Sequence, residues 1–218
     1  MPAEQPPDDQ LLSRIATGDA EAFALLFGRR QKDVYRFALH MTASPSVAED
    51  VTQEVFLAVM RDAGRYDPAR ATVVSWLCGI ARNHVLRRLE RDRQLEPLED
   101  GASGLERDIV ATGHDTLGDL TRAERIEALR QAILTLPVRY REAVVLCDLQ
   151  ELSYADAAAV LGCAIGTVRS RLHRGRALLA TKLATTTSSA ESTEGAERLR
   201  HTIVSDFRRS IRSARTLA

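Results

Sequence analysis

Apolar residues return at steps of three, four and seven through most of this chain, and that period constrains the fold more than any other feature. Phe23, Leu26, Phe27, Val34, Phe37 and Met41 form one series; Ile126, Leu129, Ile133 and Leu136 form another. A helix turning once per about 3.6 residues gathers each series on one face, which must then be buried. Composition agrees. Aromatics are only 5% of the residues, and 12 glycines with 7 prolines disfavour an all-β design. The expected fold class is all-α, with 44% hydrophobic residues to fill a core and 28% charged residues for a wet surface.

Breaks in the period give the organisation. Thr17, Gly18 and Asp19 precede the first helix as a turn and cap. Ser44-Pro45-Ser46 then interrupts the chain, and Ser46 with Glu49 predicts a capping box opening a second helix over 47–62. Val47, Val51, Val55 and Val59 line one side of it. Asp50, Gln53, Glu54, Leu57 and Arg61 project within about 100° on the other. A loop at 64–72, containing Asp67-Pro68, leads to a third helix from about 73 to 93. Its expected buried set is Trp76, Leu77, Ile80, Val85, Leu86 and Leu89.

Residues 94–120 lose the period, are acidic, and hold four glycines and one proline, so they read as a flexible linker. Pro137 opens a further helix, and two more follow around a turn at Gly162-Cys163. Beyond Leu183, TTTSSAESTEG reads as a disordered polar spacer. After it, Leu199, Ile203, Phe207 and Ile211 mark an amphipathic tail helix. The expectation is two helical domains, 1–93 and 121–183, joined by the linker 94–120 and followed by the tail 184–218.

Charge excludes some classes and suggests others. Thirty basic and thirty acidic residues cancel, which argues against a uniformly basic coating protein. Yet residues 61–95 carry net +4, 96–128 net −6, and 164–183 net +5 with no acid at all. Two basic islands parted by an acidic stretch suit two anion-binding surfaces on two modules. No apolar run approaches the roughly 20 residues needed to span a bilayer. The opening MPAEQPPDDQ lacks the basic and apolar parts of a secretory signal, so a cytoplasmic setting is expected. Three cysteines without a CxxC pair argue against disulfides and zinc. The five histidines have no metal-ligand spacing, and neither a Gly-rich phosphate loop nor a Ser/His/Asp arrangement is present. No metal, cofactor or enzymatic activity is expected.

Residues 153–176 have the spacing of a helix-turn-helix. Small Ala158 suits a close helix crossing, and Gly162 can take the positive φ of the tight turn. On the second helix, Ile165, Val168, Leu172, Gly175 and Leu179 share the face expected to be buried. The opposite face presents Gly166, Thr167, Ser170, His173, Arg174 and Ala177, flanked by Arg169 and Arg171. Small residues among basic donors suit a helix entering the major groove. The expected DNA contacts are Thr167, Arg169, Ser170, Arg171, His173 and Arg174.

These residues also carry a family resemblance. SYADAAAVLGCAIGTVRSRLHRGRALL resembles the promoter −35-binding segment of extracytoplasmic-function (ECF) sigma factors, and LTLPVRYREAVVLCDLQELS its supporting helix. RRQKDVYRFALHMTASPSVAEDVTQEVFLAVM resembles the family's polymerase-binding region, and VVSWLCGIARNHVLRRLERDR its −10-recognition helix. Together they cover most of residues 11–183 in the family's order. The resemblance implies that Asp50, Gln53, Glu54 and Phe56 grip core RNA polymerase, beside Leu57 in the exposed stripe. It implies that Trp76, Arg82, Asn83 and Arg91 lie near the melted −10 strand, as stacking and phosphate contacts would require. The loop at 64–72 stands where the family holds an unstacked −10 base. Core polymerase, promoter DNA and an anti-sigma factor are the implied partners. Two departures stand out: Arg87, also placed at the −10 surface, where the family often has Asp, and Glu151 where it usually has Gly.

Two functions compete at this point. One is a transcription initiation factor that directs polymerase to promoters. The other is a stand-alone operator-binding regulator, with residues 1–93 as a sensor or dimerisation domain. A polymerase subunit needs both the acidic-polar stripe and a second basic helix; a sensor needs neither.

Overall fold

The computed structural model describes residues 6–95 and 122–187, with side chains described over 6–93 and 126–183. Among these residues the architecture is helical throughout. In chain order the helices are α1 (Asp8–Ile15), α2 (Ala20–Thr42), α3 (Pro45–Asp62), α4 (Val73–Leu95), α5 (Arg122–Leu134), α6 (Val138–Val144), α7 (Tyr154–Leu161) and α8 (Ile165–Thr187). A 3-10 turn at Ala63–Arg65 follows α3, and a π-helical turn at Val145–Leu149 continues α6. The linker expected at 94–120 lies outside the described residues beyond α4, as does the tail from 188 onward. Thr187 ends α8, so residues 184–187 extend a helix where a spacer was expected. The chain divides into two compact units, Met1–Gly101 with Leu152–Val168, and Ala102–Glu151 with Arg169–Ala218.

In the first unit, local chemistry sets the helix starts. Asp19 caps α2 by accepting from the Ala22 amide at 3.0 Å, which satisfies one of the backbone donors left open at the helix start. That hydrogen bond, then Arg14, holds the Asp19 carboxyl below its usual range. α3 is capped by Ser44 rather than Ser46: Ser44 Oγ accepts from the Val47 amide at 3.3 Å, and Pro45 occupies the first turn. Proline there gives up only an amide that has no helical partner, so it starts the helix instead of breaking it. Ala43, in the left-handed region at φ 60, turns the chain between α2 and α3.

The core of this unit draws on all four of its first helices. Leu11 and Leu12 from α1, Leu26, Phe37 and Met41 from α2, Val55 and Val59 from α3, and Leu77 and Val85 from α4 are buried. The apolar period does not mark α1. Its signal is short, with Pro6-Pro7 ahead of Asp8 and Asp9 and then Leu11, Leu12 and Ile15. Asp8 fastens it by accepting from Arg29 at 3.0 Å and Arg30 at 2.5 Å. On α4 the buried set is shifted from expectation: Val73, Leu77, Cys78, Ala81 and Val85 are buried, whereas Trp76, Ile80, Leu86 and Leu89 are half-buried. Burial pushes the Cys78 thiol up to about 12.

The second unit buries Ile133, Leu136, Tyr140, Val144, Leu146, Leu172 and Leu179. Arg141 ties α5 to α6 by donating to the carbonyls of Leu134 and Leu136. Asp148, in the π-helical turn, has a side chain only 3% exposed and receives both Arg176 Nε at 3.0 Å and Arg176 Nη2 at 2.5 Å. Charge-assisted and bidentate, this pair fixes α8 in register against the turn.

Candidate partner and nucleic-acid interfaces

Three faces carry the candidate residues. On α3, Asp50, Gln53, Glu54 and Arg61 are exposed, and Leu57 is 58% exposed. Met60, also 58% exposed, adjoins them and was missed because it projects just beyond the roughly 100° arc of the stripe. Two large apolar side chains standing bare among acids is a surface that gains from a protein partner. Phe56 does not belong to it. It is 2% exposed, with its ring 4.8 Å from Phe27 and 6.2 Å from Phe23, edge-on to both. Its place one residue before Leu57 turns it by about 100° into the core, so it shapes the face from beneath. Asp50 is joined to α4 by Arg88 at 3.1 Å.

On α4, Asn83, Arg87 and Arg91 are exposed. With Trp76 they project within about 80° of one another, while Arg82 points about 120° away from Trp76. Arg82 is half-buried, so the structure separates it from the other four. Trp76 itself is half-buried, with its ring 5.6 Å from that of Tyr66. It serves the packing and keeps part of its surface open. The preceding loop is ordered locally: Tyr66 donates to the Ala71 carbonyl at 3.0 Å, and Asp67 accepts from the Ala69 amide at 2.9 Å. Burial, then Arg87, lowers the His84 pKa, so the imidazole is neutral at pH 7.

The helix-turn-helix forms as its spacing predicts. Ser153 caps α7 through the Asp156 amide at 3.0 Å, and Gly162 ends it at φ 61. Just before the cap, Glu151 holds φ 55, the left-handed conformation that glycine takes without cost. On α8, Val168, Leu172, Gly175 and Leu179 are buried, but Ile165 is 42% exposed, contrary to expectation. It is the first residue of α8. Arg169, Ser170, His173 and Arg174 are exposed, and Thr167 and Arg171 are half-buried. Arg176, held by Asp148, is spent on structure. Among the described residues no group of His, Cys, Asp or Glu could hold a metal ion, and no helix is long and apolar enough to cross a membrane.

Comparison with known proteins accounts for both modules. Residues 26–94 match the model of Sigma-70 region 2, and residues 126–179 match Sigma-70, region 4. The chain is 38% identical over 177 residues to the ECF RNA polymerase sigma factor SigM of Mycobacterium tuberculosis, covering 79% of this chain and 83% of the relative. It is 32% identical to the RNA polymerase sigma-H factor of Pseudomonas aeruginosa, covering 79% and 91%. Among solved structures, CnrH in complex with the cytosolic domain of CnrY aligns at a TM-score of 0.61 and 26% identity, over 82% of this chain and 97% of that one. The sigma factor RpoE of Bartonella quintana, solved with the anti-sigma factor NepR, shares the fold at a TM-score of 0.58 and 24% identity, over 76% and 98%. A stand-alone regulator with a sensor domain is thereby set aside, because region 2 fills the place where a sensor would stand. With regions 2 and 4 in order, and a relative matched over most of its length, the chain belongs to the ECF RNA polymerase sigma factors and acts in transcription initiation.

Proposed function

We propose that the three exposed faces divide the work of initiation. The α3 face, with Asp50, Gln53, Glu54, Leu57 and Met60, binds core RNA polymerase. The α4 face, with Trp76, Asn83, Arg87 and Arg91, meets the melted −10 strand. Arg82 assists from its flank, and the loop at 64–72 receives an unstacked base. The exposed side of α8, with Thr167, Arg169, Ser170, Arg171, His173 and Arg174, reads the −35 element. In domain terms, residues 1–93 carry polymerase and −10 binding and 121–183 carry −35 binding.

The observation that carries this reading is the split along α3. Val55, Phe56 and Val59 are buried, while Leu57 and Met60 stay bare beside three polar side chains. Apolar area exposed at that cost is recovered only when a partner covers it. The α8 face differs in kind, with arginines that exchange counterions for phosphates and one helix edge for base contacts. Binding is the whole of the chemistry, with no catalytic step, and the setting is the cytoplasm. An anti-sigma factor is a further expected partner, since CnrH and RpoE were each solved with a protein bound and the one on RpoE is an anti-sigma factor.

Asp50→Arg with Glu54→Arg tests the reading. The double variant should keep its helical circular dichroism and lose core polymerase in a pull-down. Retention at wild-type strength would refute the α3 assignment. Run-off transcription with core polymerase on a promoter library then identifies the promoters served.

A further inference from the structure

We infer that Arg139, on α6, grips a backbone phosphate beside the −35 element and so extends the basic face of α8 onto a second helix; this rests on the −35 reading of α8. The groups involved all lie in the second unit. α8 comes very close to α6 at Gly175. A Cβ built there would stand 2.8 Å from Val144 Cγ2, 3.3 Å from the Tyr140 carbonyl oxygen and 3.5 Å from Tyr140 Cβ. The side of α8 that meets Tyr140 is the edge of its basic face. Arg171 precedes Gly175 by one turn and projects only about 40° from it, and Arg174 projects about 100° away in the same direction. Arg139, next to Tyr140 in the chain and exposed, stands where α6 borders that edge.

Arg139 is held rather than loose. Its guanidinium carbon lies 4.7 Å from the centroid of the Tyr140 ring, a cation–π contact. Tyr140 is only 8% exposed, so packing fixes the ring on which the guanidinium rests. Ordering a long side chain opposes binding, and here part of that ordering is done beforehand. A ring face offers no lone pair, so the guanidinium keeps its hydrogen-bond donors for phosphate oxygens. Folding alone gives no reason for a cation at this place. Arg139 is the second residue of α6, at the end where a helix favours negative charge, and the first turn carries no acid. A polyanion outside the protein supplies what the helix does not. Because Arg139 stands on the neighbouring helix and not on the one that enters the groove, it meets the backbone and no base.

The test uses the full-length chain with core polymerase. Promoter binding is measured across a salt series, and DNA retained from a library randomised at the −35 element is sequenced. Arg139→Gln removes the charge from an exposed position, so its thermal unfolding midpoint and polymerase pull-down should match wild type. The slope of log affinity against log salt should fall by about one phosphate, which is about an eightfold loss at 0.1 M salt that closes towards 1 M. The −35 motif should not change. Arg139→Lys should keep the wild-type slope. An unchanged slope in Arg139→Gln, a loss equal at every salt concentration, an altered motif, or a slope that Arg139→Lys also loses would each overturn the phosphate role. Arg171→Ala and Arg174→Ala test the reading beneath it. If both leave promoter binding at wild-type strength, the −35 reading of α8 falls and the inference falls with it. If they weaken binding and Arg139→Gln does not, Arg139 alone is removed.

Discussion

Helices α3 and α8 each bury one side and expose the other, yet their exposed sides are opposites. α3 shows Asp50 and Glu54 around bare Leu57 and Met60. α8 shows Arg169, Arg171 and Arg174 around Ser170 and Gly166, with no acid anywhere on residues 164–183. The first face profits from being dried by another protein. The second profits from a polyanion and stays wet. Their anchoring differs as well. α3 is held by apolar contacts along its length, whereas α8 is pinned through the nearly buried Asp148–Arg176 pair and the close approach at Gly175.

That contrast is most sharply tested at the pin. Asp148→Ala leaves Arg176 facing a turn without its acceptor, and loss of one partner of such a pair costs about 3 kcal/mol. Urea unfolding should show the loss, and −35 binding should weaken while polymerase pull-down through α3 persists. If both activities fall together, the two faces are not independently supported.

Arg174→Ala should cost up to about 3 kcal/mol of −35 affinity if the side chain makes a bidentate base contact, read by holoenzyme footprinting. Leu57→Ala with Met60→Ala should weaken polymerase binding by about 2 kcal/mol, from apolar area no longer removed from water. The salt series separates the two faces. The Leu57/Met60 defect should persist at every salt concentration. Arg171→Ala should instead lower the salt slope of promoter binding by about one phosphate. Equal salt dependence for both variants would erase the distinction between them. The smallest effect is expected at Glu151→Gly. Relief of a left-handed residue is worth about 1–2 kcal/mol, offset in part by the extra freedom of glycine when unfolded. The net gain should be about 0.5–1 kcal/mol in urea unfolding, with promoter preference unaltered.

Much of this was legible in the residues because it is local or periodic. The Asp19 cap, the valine face of α3, Pro137 before α6 and the Gly162 turn each follow from a few neighbouring side chains. Glu151 was legible as a misfit, since a position usually glycine predicts positive φ whatever occupies it. The misses are of three kinds. Ser44 and Ser46 stand on either side of Pro45, and only the observed geometry shows which hydroxyl reaches an amide. Phe56 was placed by motif position, but the turn of the helix sends it into the core. The pairing of Asp148 with Arg176 spans 28 residues and had no local mark beyond one acid in an otherwise apolar run. Tertiary partners of that sort are invisible to a period.

Gly175 carries a consequence for how this sequence can drift. No single-nucleotide change in a glycine codon yields another residue without a Cβ, and at this position a Cβ would meet the stiff γ-methyl of Val144 at 2.8 Å. Every one-step missense mutant must therefore displace the reading helix or its neighbour. A saturation screen of α8 should find the exposed positions graded by promoter and Gly175 intolerant on all of them. The exception would be an alanine admitted by a smaller residue at 144. Such a swap needs two mutations, and the order in which they arise is constrained: Val144→Ala must come first, opening the space at the expense of some packing before the larger residue can enter.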